Sequence, residues 1–450
     1  MSTAVQAVLN SFRLFLILIT PVAAQTCPDL VDFYPGSEPD WVSLEQQLTP
    51  LLPQCFDNSE FFALYGGAQL NSGQLSPALE SLERALLLNP ENGAAQIDYA
   101  QALFEEGELF TALEINERLL QLEDLPAHLL PGITVRQEYW QSLTRQTSFQ
   151  AAVLAGYDDN LNGAPDASQV TLTLSGEPIQ LTLNPEFRPV SGPYLNMRLG
   201  AIHRQLAPDH RHNWSAEVRG RLSEDTASDL LQLSTRYAFI RPDRDHSWQV
   251  NGGINHLLFG GNALFTAADA SVRYQPGSNL RCRPFYGLAL QHQLYHQQSR
   301  LDGLESKASA GLNCPLNRGN GGNGVLGGQQ LGIEFSLLNN QAIHSGRLGG
   351  DRSGWQLNMS WQATLLRGTL LAQLNHTKLD DKEGYSPLLV NGADRWLDRS
   401  YLLLQYRQPI QLFGQTSTLL VNLYHQQQDS NIELFETVDT TAEIGISWSF

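Results

Sequence analysis

The sequence predicts a multidomain α+β protein: an N-terminal α-helical repeat domain followed by an antiparallel transmembrane β-barrel of about 14 strands. Three observations carry this expectation. The hydrophobic period changes from 3.6 to 2 near residue 147. Residues 59–125 repeat at an interval of 34. Charge is divided unequally, because residues 25–146 hold 19 acidic and 4 basic side chains, a net of −15, in a chain whose formal charge is −18. The expected parts are a signal peptide over 1–24, a linker over 25–40, the helical domain over 41–146 and the barrel over 147–450. The acidic balance and scarcity of Lys exclude a nucleic acid as partner, since phosphate-backbone binding needs a basic surface.

The signal peptide is read from Arg13, the apolar stretch Leu14 to Thr20 and the small residues Val22 and Ala24. The stretch is too short to span a bilayer, and cleavage is expected after Ala24. Thr26, just before Cys27, does not suit a lipobox. Secretion permits disulfides. The four cysteines sort by region into two candidate pairs, Cys27 with Cys55 and Cys282 with Cys314. None has the close spacing that a zinc site needs.

In the repeat, Tyr65 recurs as Tyr99, Gly73 as Gly107, Leu75 as Leu109 and Ala78 as Ala112. Gly66, Ala78, Ala85, Ala100 and Ala112 are small enough for paired helices to approach closely, and Gly73 and Gly107 suit the turns between them. The pattern resembles two tetratricopeptide (TPR) units. Two units bury too little surface alone, so Trp41 to Leu52 and Thr134 to Arg145 are expected to cap them. In such arrays the concave face usually holds an extended peptide. Glu60, Gly67, Asn71, Gln101, Phe104 and Glu105 occupy the corresponding positions and are the candidate client-binding residues; they can equally be solvated or packing residues. The basic clamp of chaperone-type repeats is absent, and an acidic groove suits basic or neutral polypeptide segments.

Beyond residue 147, Trp214, Ala216, Val218 and Leu222 alternate with Ser215, Glu217, Arg219 and Arg221. Trp355, Leu357, Met359 and Trp361 alternate with Gln356, Asn358, Ser360 and Gln362. Apolar-out, polar-in strands of this length suit a membrane barrel, and a spanning structure without apolar helices must be closed. Strands are expected to start near residues 148, 193, 212, 229, 247, 263, 280, 304, 329, 353, 368, 397, 416 and 438. Ala207-Pro208-Asp209, Arg241-Pro242-Asp243, Gln275-Pro276-Gly277 and Leu366-Arg367-Gly368 mark short turns on one side. Longer connections such as 338–352 and 380–395 belong to the other, whereas the Asn- and Gly-rich stretch 313–328 is a long loop on the short-turn side. Tyr194, Trp248, Trp396 and Trp448 are placed as aromatic girdles. Cys282 and Cys314 are centred on residue 298, inside an expected hairpin loop, so they can face each other across two strands.

The final run, Ile444 to Phe450, resembles the C-terminal strand of Gram-negative outer-membrane proteins. That resemblance makes Trp448 and Phe450 the signal read by the barrel-assembly machinery and places the barrel in outer-membrane lipid. The junction is more specific still. It reads Gly156-Tyr157-Asp158-Asp159-Asn160-Leu161-Asn162-Gly163-Ala164-Pro165, then Thr171 to Leu174, Ser175-Gly176-Glu177-Pro178 and Ile179 to Leu183, with Arg188 to Gly192 following. It resembles the surface lipoprotein assembly modifier family, Slam, which joins a periplasmic TPR domain to a 14-stranded outer-membrane barrel. The resemblance implies a non-enzymatic exporter that moves lipoproteins or soluble proteins to the cell surface, with a periplasmic client polypeptide as partner. This chain has a shorter repeat region than the family.

Read by itself, Asp158-x-Asn160-x-Asn162-Gly163 matches half of a calcium loop, but position twelve is Gln169, so an Asx-rich turn accounts for it. The runs 171–174 and 179–183 read as an extra hairpin. His246-Ser247 and His344-Ser345 lack the surrounding motif of a hydrolase, and His210-x-His212 and His292-x3-His296 are spacings that chance supplies. No catalytic residue, cofactor or metal is therefore expected. Two other readings remain open, an exopolysaccharide export porin and a structural or adhesive barrel.

Overall fold

A computed structural model describes residues 26–34, 39–123, 125–243, 245–278, 280–316, 326–412 and 414–450. The expected signal peptide and most of the 313–328 loop lie outside these residues. The chain divides into two compact units, one ending at Ser142 and the other beginning at Leu143.

The first unit contains α1 (Trp41–Leu48), α2 (Ser59–Asn71), α3 (Leu75–Leu88), α4 (Gly93–Glu106), α5 (Leu109–Leu120) and α6 (Leu130–Leu143). Starts are capped where an Asp or Asn precedes the helix: Asp40 accepts from the Ser43 amide, Asn58 from Phe61 and Asn92 from Ala95. Gly73 and Gly107 follow α2 and α4 with φ of +79° and +99°, the left-handed conformation that an ordinary side chain resists. The two α-hairpins, α2–α3 and α4–α5, are the repeat. Helix α1 with the 3-10 turn after it and α6 are the flanking elements expected from the sequence. The cap at the far end begins at Leu130, four residues earlier than expected.

Residues 27–34 correct the linker expectation. Cys27 is bonded to Cys55, and Leu30 is buried with Leu44, Leu48, Phe61 and Tyr65. This segment belongs to the helical core. The disulfide holds it there although it is too short to bury much surface itself.

The second unit is a closed antiparallel barrel of 14 strands with a separate two-stranded hairpin. The barrel strands are β1 (Arg145–Asp158), β4 (Gly192–Leu206), β5 (Arg211–Ser223), β6 (Leu230–Pro242), β7 (His246–Phe259), β8 (Asn262–Pro276), β9 (Arg283–Tyr295), β10 (Gly303–Pro315), β11 (Leu326–Ala342), β12 (Arg352–Leu365), β13 (Gly368–Gly384), β14 (Asp394–Leu412), β15 (Gln415–Ser430) and β16 (Thr437–Ser449). The hairpin is β2 (Gln169–Leu174) with β3 (Glu177–Thr182). All 14 barrel strands coincide with those expected from the sequence. β1 pairs with β16 to close the sheet, as in Gln150↔Ser449 and Gly156↔Glu443. Phe450 extends this closure by exchanging backbone hydrogen bonds with Phe149.

Antiparallel partners share a face, so the register assigns every strand's inside and outside. Trp214 faces Tyr237, and Leu199 faces Val218; these rows point outward. Leu199, Leu288 and Leu337 are 61%, 68% and 59% exposed, and they belong to a band of exposed Leu, Val, Ile and aromatic side chains around the barrel. A band of this size is stable against lipid and not against water. The opposite rows are polar, so the unit is a transmembrane barrel with a hydrophilic lumen. Cys282 and Cys314 flank the β9–β10 pair beside Arg283↔Asn313 and form a disulfide with a Cα separation of 4.2 Å.

One girdle assignment is overturned. Tyr194 is buried and points into the lumen, where its hydroxyl donates to Glu443 at 2.8 Å. It shares a face with Asn196 and Arg198, so its parity is that of the polar rows. Trp248 and Trp396 remain exposed on the outside.

Candidate functional site

Two places combine polar chemistry with access: the inner face of the helical unit and the barrel lumen. In the helical unit, Glu60, Gly67 and Asn71 lie on one stripe of α2, and Gln101 and Glu105 on one stripe of α4. Glu60 and Glu105 are exposed. Asn71 donates to its own helix at the Gly67 carbonyl, 2.8 Å away, and Gln101 donates to Glu105 at 2.9 Å. Phe104 is different, because it is half-buried and stacks on Trp140 of α6 with ring centroids 4.8 Å apart. Its ring is part of the α4–α6 packing.

The α4 stripe has a third member that the sequence reading passed over. Asp98 lies one turn before Gln101, and its carboxylate sits where a side chain at position 67 would be: a Cβ on Gly67 would lie 2.7 Å from Asp98 Oδ2. Close approach of α2 is therefore what buries this carboxylate. Burial pushes the Asp98 carboxyl up to about 6, and the nearby Arg136 offsets only part of that effect. Arg136 does not hold Asp98 directly. It donates to the Ile97 carbonyl at 3.0 Å and to Asn116 Oδ1 at 2.8 Å, and its guanidinium lies 4.9 Å from the Trp140 ring centroid. α2, α4 and α6 thus flank a half-buried carboxylate with no hydrogen-bond donor among the described residues.

The lumen contains a cavity of about 600 Å³ lined by polar side chains that include Arg204, Asn213, Arg236, Gln249, Asp269 and Glu305. Part of its charge is paired. Arg221 binds Asp158 at 2.9 Å, and Arg273 and Lys307 share Glu334 at 3.1 and 3.4 Å. Arg352 and Arg395 meet at Asp381, at 3.0 and 3.1 Å. Glu443 collects Tyr194, Asn196, Asn422 and Arg198. That last network crosses the closure pair. Gly156 stands between Tyr194 and Glu443 in the register, and a Cβ there would lie 2.5 Å from the tyrosine ring. The missing side chain on β1 lets β4 reach β16.

At the end of the barrel with longer loops, the β2–β3 hairpin packs on two other loops. Val170 of β2 is buried with Leu389 and Ile432, and Leu172, Tyr385 and Phe435 close around them. Thr171 donates from its backbone and its hydroxyl to Glu433, at 2.7 and 3.1 Å, and the Thr173 amide donates to the Leu388 carbonyl. Beneath these loops, the Arg395 guanidinium lies against the rings of Tyr385 and Phe435, 4.4 and 4.3 Å from their centroids, and the two rings also touch each other. The 158–165 turn is held from inside. Asn160 accepts from the Ala164 amide and donates to its carbonyl, and Asp158 accepts from the Asn160 amide. Asp158, Asp159 and Asp439 gather nearby, but Asp158 is already committed to Arg221. His210 and His212 are in ring contact, with His210 against Asp209 and His212 against the Tyr237 hydroxyl.

No protein-family model and no curated protein matches the chain. Among solved structures, the helical region is similar to the type III secretion translocator chaperone SycD of Yersinia enterocolitica. Identity is 17%, over 23% of this chain and 73% of that one, with a TM-score of 0.21. The barrel is similar to a Pseudomonas aeruginosa FadL homologue, at 10% identity over 68% of this chain and 90% of that one, TM-score 0.36. It is also similar to a bacterial polysaccharide outer membrane secretin, at 9% identity over 67% and 98%, TM-score 0.31. The barrel assignment itself rests on the strand pairing.

Proposed function

We propose that this protein is an outer-membrane export protein of the Slam type. Its helical repeat, in the periplasm, collects a client polypeptide, a lipoprotein or a secreted protein, and its barrel gives that client passage to the cell surface. The observation that carries the reading is the union, in one chain, of a helical repeat with a closed barrel whose lumen is polar. A polar lumen lets an extended chain pass with its backbone groups solvated. The groove contributes Asn71, Gln101, Glu105 and the half-buried Asp98, an acceptor-rich lining that suits amide, hydroxyl or basic groups of a client. Phe104 acts there by holding α4 against α6. The junction motif at 156–192, which resembles that of the Slam family, supports the same reading.

The test is surface access of the client encoded beside this protein, read with protease or antibody on intact cells. Deleting residues 27–142, the helical unit with its disulfide-bonded first segment, should leave an inserted, heat-modifiable barrel and lower client display. Unchanged display in a full deletion strain, with polysaccharide secretion reduced, would replace this reading by the exopolysaccharide exporter.

A further inference from the structure

The ion pairs described above leave part of the lumen's charge uncompensated. Register places Arg204 opposite Asn213, Arg236 opposite Ser215 and Gly253, and Arg283 opposite Asn313, all on inward rows. Arg211 and Arg219 lie on the same inward face of β5. Arg204, Arg211, Arg236 and Arg283 are exposed to the lumen; Arg219 is half-buried and its Nε has no hydrogen-bond partner. Among the described residues, none of these five guanidinium groups has a carboxylate in ion-pair range. The inward carboxylates without a cation are Glu217, Asp269, Glu305 and Asp439, and Glu305 accepts from Asn340. Two further inward guanidiniums, Arg399 and Arg407, bond only to Gln428 and Gln405. The lumen is therefore net positive inside a chain of charge −18.

The arrangement is a ladder and not a single pocket. Arg211 and Arg219 are separated by about 26 Å along β5 at the usual rise per residue. Donors so dispersed cannot converge on one small anion, but they can follow repeated charges on a polymer. Guanidinium groups pair well with carboxylates. In water at physiological salt the attraction is screened within about 8 Å, which allows release from each step to the next. We propose that the lumen selects acidic polypeptide segments, with Arg204, Arg219 and Arg236 as specificity-determining residues. This inference rests on passage of a client through the lumen. It makes the client bipolar: a neutral or basic segment engages the acidic helical unit, and an acidic segment enters the barrel.

The experiment uses the purified full chain in detergent and fluorescently labelled oligoglutamate, with oligoglutamine as control. Oligoglutamate is repelled by the acidic helical unit, so its binding reports the lumen. Saturable binding of oligoglutamate and not of oligoglutamine is expected, weakened by about tenfold in the triple variant Arg204→Gln, Arg219→Gln, Arg236→Gln. The matching triple Lys variant should keep most of it, with heat-modifiable migration reporting barrel integrity. Equal affinity for the two peptides, or binding unchanged in the Gln triple, would overturn the proposal. Binding of an oligouronate without oligoglutamate would overturn it in favour of a polysaccharide cargo. Peptide binding and client display are independent. Display that needs this protein without oligoglutamate binding sinks only the charge selectivity. Binding without any effect of deletion on display sinks only the export reading.

Discussion

The two units solve opposite solvent problems. In the helical unit Leu48, Phe61, Leu82, Leu119 and Trp140 are fully buried, and most charged residues other than Asp98 and Arg136 face water. In the barrel the order is inverted. Asn196, Asn422 and Glu443 are almost inaccessible, while Leu199, Leu288 and Leu337 are more than half exposed. The same side chain therefore has different consequences in the two places. An exposed leucine is a defect on the helices and the structural surface of the barrel. The carboxylates differ as well: buried Glu443 receives three hydrogen bonds from neutral donors as well as Arg198, and half-buried Asp98 receives none among the described residues. A partnered buried charge is part of the architecture, whereas a half-buried one without a partner carries a desolvation cost that nothing in the helical unit offsets.

Three substitutions break or sharpen this contrast. The largest effect is expected from Trp140→Ala. It removes the ring stacked on Phe104 and beneath Arg136, and should cost the helical unit about 3–5 kcal/mol. Denaturant unfolding followed by helical circular dichroism should show the loss, with the barrel still heat-modifiable; joint loss of both signals would mean the two units are not energetically separate. Next is Leu288→Arg on the lipid face. Position 288 is mid-strand in β9, so the substitution should cost the barrel about 2–4 kcal/mol, against little change for the apolar swap Leu288→Ile at the same site. Refolding into lipid vesicles measures it, and equal effects of the two substitutions would argue against a lipid-facing band.

The smallest effect is a gain. A carboxyl raised to about 6 in the folded state binds its proton more tightly there than in the unfolded chain. Its contribution is favourable below the unfolded value and is lost as pH rises through about 6. Asp98→Asn should thus stabilise the helical unit by about 1–3 kcal/mol at pH 7–8 and by little at pH 4. A gain that does not depend on pH would show that Asp98 is not desolvated. Client display should fall in the same variant although stability rises, as expected for a residue kept at the expense of stability.

Legibility in the sequence followed the range of the interactions. Strand faces depend on a period of two, a local property, and Trp355, Leu357 and Met359 against Gln356 and Asn358 displayed it plainly. Tyr194 was legible too, since it alternates in phase with Asn196 and Arg198; the expected aromatic girdle outweighed that phase. Asp98 could have been placed on the Gln101–Glu105 stripe by its spacing, but its lack of a donor could not. That follows from Gly67 admitting it between helices and from Arg136 being engaged elsewhere.

By itself the sequence determined the two-part chain, the helical repeat, the number of barrel strands and their inward and outward faces. The element types and faces follow from periods of 2 and 3.6 that a short window contains, and the repeat from an interval of 34 read over residues 59–125. Only the tertiary structure decided which distant residues meet. Tyr194 and Glu443 are 249 positions apart and touch because closing the barrel brings β16 beside β1, and because Gly156 leaves the space between them open. The hairpin's hold on Glu433 spans 262 positions. The unpaired arginines emerge in the same way, since whether a guanidinium finds a carboxylate depends on which strands become neighbours, and no local period encodes that.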